Sequence, residues 1–118
     1  MTRAEAIKDL EEIFGSVREV ALPAEPGYSL VVIETAQPVP GGNQTTRVAF
    51  KLPADVTSRP QHFVEPHVHL ANGGQPNNAT QQELAGTLWK TWSLKTNWTP
   101  DRHRLSQLVY TVLKVWDR

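Results

Sequence analysis

The chain has 118 residues, which is enough for one domain with a single modest core. Its 12 basic and 12 acidic residues balance, so no excess positive charge attracts nucleic acid or an anionic membrane. It contains no cysteine, which excludes disulfides, cysteine-ligated zinc and any reaction on a thiol of its own. We expect one domain over residues 1–118, without nucleic-acid or membrane partners. The first residues, with an acidic Glu5, differ from a signal peptide, so we expect a cytoplasmic location.

A first helix is predicted over residues 2–14. Thr2 and Glu5 have the Thr-x-x-Glu spacing of a capping box, in which side chains pair with free backbone N–H groups at a helix start. Gly15 favours the end of this helix. Apolar residues recur on one face, as in a helix that packs on a core: Ile7, Leu10, Ile13 and Phe14.

Four strands are predicted next. Residues 17–22, 29–35 and 45–52 are β-branched or alternate between apolar and polar, and proline and glycine turns separate them. A short fourth strand is expected over residues 61–64. The short connections between successive strands favour an antiparallel meander.

An irregular stretch follows, with a loop over residues 71–79 and then an aromatic segment containing Trp89, Trp92 and Trp98. The spacing of three between Trp89 and Trp92 is compatible with one face of a helical turn. Large aromatic residues dominate the cores of small domains, and the basic charge needed for a base-stacking surface is missing. We therefore expect these tryptophans to be core residues.

A second helix is predicted over residues 100–116, with Thr99 as its N-cap, Pro100 at its first position and Asp101 beside the positive end of its dipole. The sequence thus predicts an α+β fold: a helix, an antiparallel meander, an irregular stretch and a helix. We expect one core to join residues of both helices and the third strand: Ile7, Leu10, Phe14, Phe50, Leu105, Val109, Val112 and Trp116.

One segment could hold a metal ion. In an extended chain Glu65, His67 and His69 lie on one face and could converge on one ion. The same alternation describes the solvated face of an edge strand, and Pro66 suits an edge. We expect no bound transition metal and no cofactor.

No catalytic serine motif is present. Ser93 and Ser106 lie outside any Gly-x-Ser-x-Gly turn, and the Gly73-Gly74 pair does not form a phosphate-binding loop. Asp101 and His103 share the predicted helix start, where structural roles are expected.

The order of the elements and several short motifs resemble the ubiquitin-conjugating enzyme superfamily, and most closely the bacterial proteins called prokaryotic ubiquitin-conjugating family E. Trp98-Thr99-Pro100 is similar to the Trp-x-Pro step of that superfamily. Residues 86–93, from Gly86 to Ser93, resemble the Gly-x-x-Trp-x-x-Trp-Ser signature of the bacterial group. Residues 56–61 occupy the place of the family's proline-rich turn and keep Pro60. The resemblance implies a four-stranded meander with an active-site-like stretch before the last helix.

The resemblance also implies which positions correspond to the active site. Eukaryotic-type members have their thioester cysteine eight residues before the Trp of Trp-x-Pro, and here that position is Lys90, with Ser93 nearby. Gln75-Pro76-Asn77 is similar to the His-Pro-Asn motif without its histidine, and we expect the two last helices of the standard fold to be missing. Relay of an acyl group needs a thiolate, whereas a lysine would retain the group as a stable amide.

The resemblance therefore implies a cysteine-less component that binds a ubiquitin-like protein or its activating enzyme. Partner-binding positions would be Pro60, Asn77, Trp98 and Pro100, and Lys90 and Ser93 would be the candidates for residual chemistry. Two alternatives remain open. One is an adaptor with the related RWD fold, which binds proteins without a cysteine. The other is a small metal-dependent enzyme that uses the Glu65, His67 and His69 set.

Overall fold

The computed structural model describes residues 1–41 and 43–117, and within them it has an α+β architecture of two helices and one six-stranded antiparallel sheet. The elements are α1 (Arg3–Phe14), β1 (Val17–Ala21), β2 (Tyr28–Val39), β3 (Gln44–Pro53), β4 (Gln61–Val64), β5 (Thr80–Leu84), β6 (Thr87–Thr91) and α2 (Leu105–Lys114). The strands are ordered β1-β2-β3-β4-β6-β5 across the sheet. Neither helix in these residues is long and apolar enough to cross a membrane.

The first helix and the first four strands agree with the sequence predictions. Thr2 accepts a hydrogen bond from the Glu5 backbone N–H at 3.1 Å, and the Glu5 carboxylate accepts one from the Thr2 N–H at 2.8 Å, which completes the capping box. Strands β1 to β4 pair with their sequence neighbours as an antiparallel meander.

The stretch predicted to be irregular contains a β-hairpin, formed by β5 and β6. Ala85 and Gly86 make its two-residue turn with φ values of +50° and +80°, as in a type I′ turn that matches the twist of paired strands. The helical-turn interpretation of Trp89 and Trp92 is wrong, because β6 is extended and a spacing of three places them on opposite faces of the sheet. Both rings are buried, as is that of Trp98, which confirms their predicted place in the core.

The two helices cover one face of the sheet, and the main core lies between the helices and that face. The predicted core is confirmed: Leu10, Phe50, Leu105, Val109, Val112 and Trp116 are buried in one cluster, with Ile7 and Phe14 packed against it. A second apolar cluster lies on the opposite face, around Phe63 and Trp89, and the Arg47 guanidinium lies 5.3 Å from the centroid of the Trp89 ring. The central strands are therefore buried on both faces.

The second helix begins at Leu105, so the predicted start at Pro100 is wrong. Thr99 instead begins a turn in which its carbonyl oxygen accepts hydrogen bonds from the backbone N–H groups of Arg102 and His103. The start of α2 is stabilised by Asp9 of α1, whose Oδ2 accepts a hydrogen bond from the Ser106 N–H at 2.8 Å. A carboxylate there pairs with a free N–H and complements the helix dipole.

Strand β6 is joined to β4 through a single residue pair, Val64 with Lys90. Beyond this pair the two antiparallel strands diverge, on the side where β4 begins and β6 ends. The divergence opens the surface that is described next.

Candidate functional site

A cleft of about 410 Å³ occupies the gap between the start of β4 and the end of β6. We call it the β4–β6 cleft. Its lining comes from three separate parts of the chain: Arg59, Pro60, Gln61, His62, Asn78, Thr91, Trp92, Ser93 and Leu94. The antiparallel register set by Val64 and Lys90 explains why these residues lie together. In this register the residues that precede Val64 in the sequence lie opposite the residues that follow Lys90.

Ser93 is fixed at the rim of this cleft by the loop before β5. Its backbone N–H donates to the Asn77 carbonyl oxygen at 3.2 Å, and its Oγ accepts a hydrogen bond from Asn78 Nδ2 at 3.1 Å. Asn78 has a φ of +58°, a left-handed conformation that asparagine tolerates better than most residues. A second cleft adjoins the first and shares Trp92, Ser93 and Leu94 with it, together with Pro76, Asn77, Lys95 and Val115.

His62 lines the β4–β6 cleft and is only 4% exposed. Its ring meets the Trp92 ring edge-on, with 4.4 Å between centroids. Burial, and secondarily the positive charge of Arg59, lowers the pKa of His62 to about 4, so the imidazole is neutral at pH 7. In the described residues, His62 Nε2 and Trp92 Nε1 are buried and have no hydrogen-bond partner.

Lys90 is separated from Ser93 and lies on the core side of β6. Its Nζ donates hydrogen bonds to the Val68 carbonyl oxygen at 2.6 Å and to Gln75 Oε1 at 2.7 Å. It also lies 5.7 Å from the centroid of the Trp116 ring. Burial lowers the pKa of Lys90, while these contacts hold the amine against the loop that follows β4. Lys90 therefore has a structural anchoring role in this arrangement.

The four predicted partner-binding residues fall into two groups. Pro60 lines the β4–β6 cleft, and Asn77 lines the adjoining one. Trp98 is buried and donates its Nε1 hydrogen bond to the Arg104 carbonyl oxygen at 2.8 Å, so its ring is part of the core. Pro100 is half-buried in the turn that precedes α2.

The Glu65, His67 and His69 set does not converge. Residues 65–68 form a turn rather than a strand, so the alternation expected of an extended chain is lost. Glu65 accepts a hydrogen bond from the Arg47 N–H at 2.7 Å, while His67 Nε2 and His69 Nδ1 each lie 2.8 Å from a backbone carbonyl oxygen. Across residues 1–41 and 43–117, no group of three or more His, Asp or Glu side chains is arranged to hold a metal ion.

The sequence did not indicate Arg59, His62, Asn78 and Trp92 as members of one site. They are up to 33 positions apart, and only the sheet register and the loop before β5 bring them together. Chemically, the cleft offers hydrogen-bond donors and one cation.

Comparisons of the chain with protein-family models, with curated proteins and with solved structures found no match.

Proposed function

We propose that the protein is a cysteine-less component of a bacterial ubiquitin-like conjugation system, and that it binds a ubiquitin-like protein or its activating enzyme. Binding takes place at the β4–β6 cleft and the second cleft beside it. The protein works by contact, and the transfer of an acyl group is left to other components.

One observation supports this proposal most. The resemblance assigned Pro60, Asn77 and Ser93 to the surroundings of an active site, although they are spread over 34 positions of sequence. All three line one pair of adjoining clefts, and the Ser93 N–H and the Asn77 carbonyl oxygen share a hydrogen bond. A sequence motif and a surface feature thus coincide at the same place.

The state of the possible nucleophiles supports binding rather than transfer. Lys90 Nζ is directed to two acceptors within the protein, and the residue is only 5% exposed. In the described part of the chain, the hydrogen bond formed by Ser93 Oγ comes from the Asn78 amide, which cannot accept its proton as a general base would. A nucleophile without a base is poorly suited to acyl transfer.

The proposal is tested by calorimetry with the ubiquitin-like protein and the activating enzyme of the source organism. We expect a transient contact with a dissociation constant of about 1–100 μM for one of them. Ser93→Arg places a long side chain at the junction of the two clefts and should weaken binding by about tenfold or more. Ser16→Arg makes the same change at an exposed site between α1 and β1 and should leave the affinity unchanged.

With ATP and both partners present, we expect no adduct that thiols or hydroxylamine can release. A labile ester on Ser93, detected by mass spectrometry and lost in Ser93→Ala, would instead identify a serine-based transferase. If neither partner binds at tens of micromolar concentration, the conjugation proposal is wrong and an RWD-like adaptor for other proteins is favoured.

A further inference from the structure

The β4–β6 cleft combines one cation with several hydrogen-bond donors. The Arg59 guanidinium has five N–H groups, one of which lies 3.4 Å from the Thr96 carbonyl oxygen, leaving others free for a ligand. Asn78 Nδ2 and the Ser93 hydroxyl add further donors at the rim. As far as residues 1–41 and 43–117 are concerned, no Asp or Glu lines the cleft. A guanidinium without a local carboxylate favours an anionic ligand.

Two of the buried polar atoms without a hydrogen-bond partner in the described residues belong to side chains that line the cleft. His62 and Trp92 line the cleft and are more than nine-tenths buried, and within the described ranges neither His62 Nε2 nor Trp92 Nε1 has a partner. Buried polar groups are nearly always hydrogen-bonded, because a donor removed from water and left unpaired costs free energy. Both atoms have almost no accessible surface, so a ligand would reach the indole N–H only if the Trp92 side chain moved, and the Arg59 guanidinium is the group that carries the inference.

We propose that the β4–β6 cleft binds a carboxylate group, supplied by a free small organic acid or by the terminus of a peptide chain. The inference rests on the proposed function for its biological setting, since it concerns the same cleft, but its chemistry depends only on the lining side chains.

The charge of the cleft favours a carboxylate over a phosphate. Arg59 is the cationic side chain that lines it, and the neutral His62 adds no positive charge at pH 7. One guanidinium matches one carboxylate in charge and in its planar, two-pronged geometry. A phosphate group carries a charge of about −1.5 to −2 at pH 7 and would be only partly neutralised here.

The test uses the full chain and four probes: propionate, its uncharged amide, inorganic phosphate and glycylglycine. Binding is followed by calorimetry and by the NMR signals of the Trp92 indole N–H and the His62 ring, with Trp92→Phe used to assign the indole signal. We expect propionate to bind saturably in the millimolar range and to shift both signals. Arg59→Gln should weaken binding by about tenfold. Arg102→Gln removes the same charge from the exposed turn before α2 and should have no effect.

The probes separate the possible results. Tighter binding of glycylglycine than of propionate would indicate a peptide terminus as the natural ligand, while equal binding would indicate a free organic acid. The inference is wrong if the amide binds as well as propionate, if phosphate binds more tightly, or if no probe saturates the two signals. It is also wrong if Arg59→Gln and Arg102→Gln bind propionate with the same affinity. If propionate does not bind but a protein partner binds normally, the carboxylate site is rejected and the proposed function is unaffected.

Discussion

Acidification should destabilise the protein through His62. Burial and then the charge of Arg59 lower its pKa in the folded protein to about 4, whereas the ordinary value of the unfolded chain is 6.5. Since the folded pKa is the lower one, the unfolded chain binds the extra proton first. The free energy of unfolding therefore falls as the pH decreases from about 6.5 to about 4, and the loss is complete below the folded pKa.

The size of this effect follows from the two pKa values. One pKa unit corresponds to about 1.4 kcal/mol, so the change from 6.5 to about 4 amounts to about 3 kcal/mol. The ring is 4% exposed, so little solvent screening reduces the figure. A loss of this size is a large fraction of the roughly 5–15 kcal/mol that stabilises a typical domain.

Urea unfolding at several pH values between 7 and 4 measures the effect. Carboxylates also titrate in this range, so the informative quantity is the difference between the wild type and His62→Gln, which removes the imidazole. Between pH 7 and pH 4, the free energy of unfolding of the variant should decrease by about 3 kcal/mol less than that of the wild type. His67→Gln removes an exposed imidazole and serves as the control. If His62→Gln keeps the wild-type dependence on pH, the ring is hydrated and the reasoning fails; His62→Phe gives the same readout if the glutamine variant does not fold.

Three further predictions concern stability and are measured by chemical denaturation. Ala85→Asn should raise the free energy of unfolding by about 0.5–1 kcal/mol, because φ is +50° there and alanine is disfavoured; a decrease would contradict the turn assignment. Trp116→Ala should cost about 3–5 kcal/mol. The control Tyr110→Ala changes a residue that is 58% exposed and should cost about 1 kcal/mol or less. If Trp116→Ala and Tyr110→Ala cost the same, the Trp116 ring is not part of the core. Asp9→Ala should cost about 1–2 kcal/mol by removing both the cap of α2 and the ion pair with Arg104. Glu12→Gln removes only the exposed ion pair with Arg104 and should stay within about 0.5 kcal/mol; equal values for the two variants would show that the cap contributes nothing.

The sequence predicts those parts of the fold whose causes are local. The capping box of Thr2 and Glu5 acts over three residues, and the alternation of β3 is visible within the strand. The β5 segment, Thr-Gln-Gln-Glu-Leu, has little apolar or β-branched content, and Ala85-Gly86 is a weak turn signal. That hairpin could therefore not be predicted.

The start of α2 and the membership of the cleft depend on distant contacts. Thr99 and Pro100 have the residue types of a helix start, but the cap comes from Asp9, 97 positions before Ser106. Likewise, nothing near His62 in the sequence indicates that Trp92 lies against it. Among the residues that line the two clefts, Pro60, Asn77 and Ser93 were predicted, and these came from motif resemblance rather than from residue patterns.

The single backbone pair between β4 and β6 has a consequence for motion. Most strands here are joined by a ladder of hydrogen bonds, but the β5–β6 hairpin is attached mainly through side chains, among them Trp89 and Lys90. We expect the hairpin to open as a unit at a lower free energy than the meander, so its amide protons should exchange with solvent earlier under native conditions. Because Trp92 and Ser93 directly follow β6, each opening would also change the width of the β4–β6 cleft, and a ligand that bridges its walls would slow that exchange.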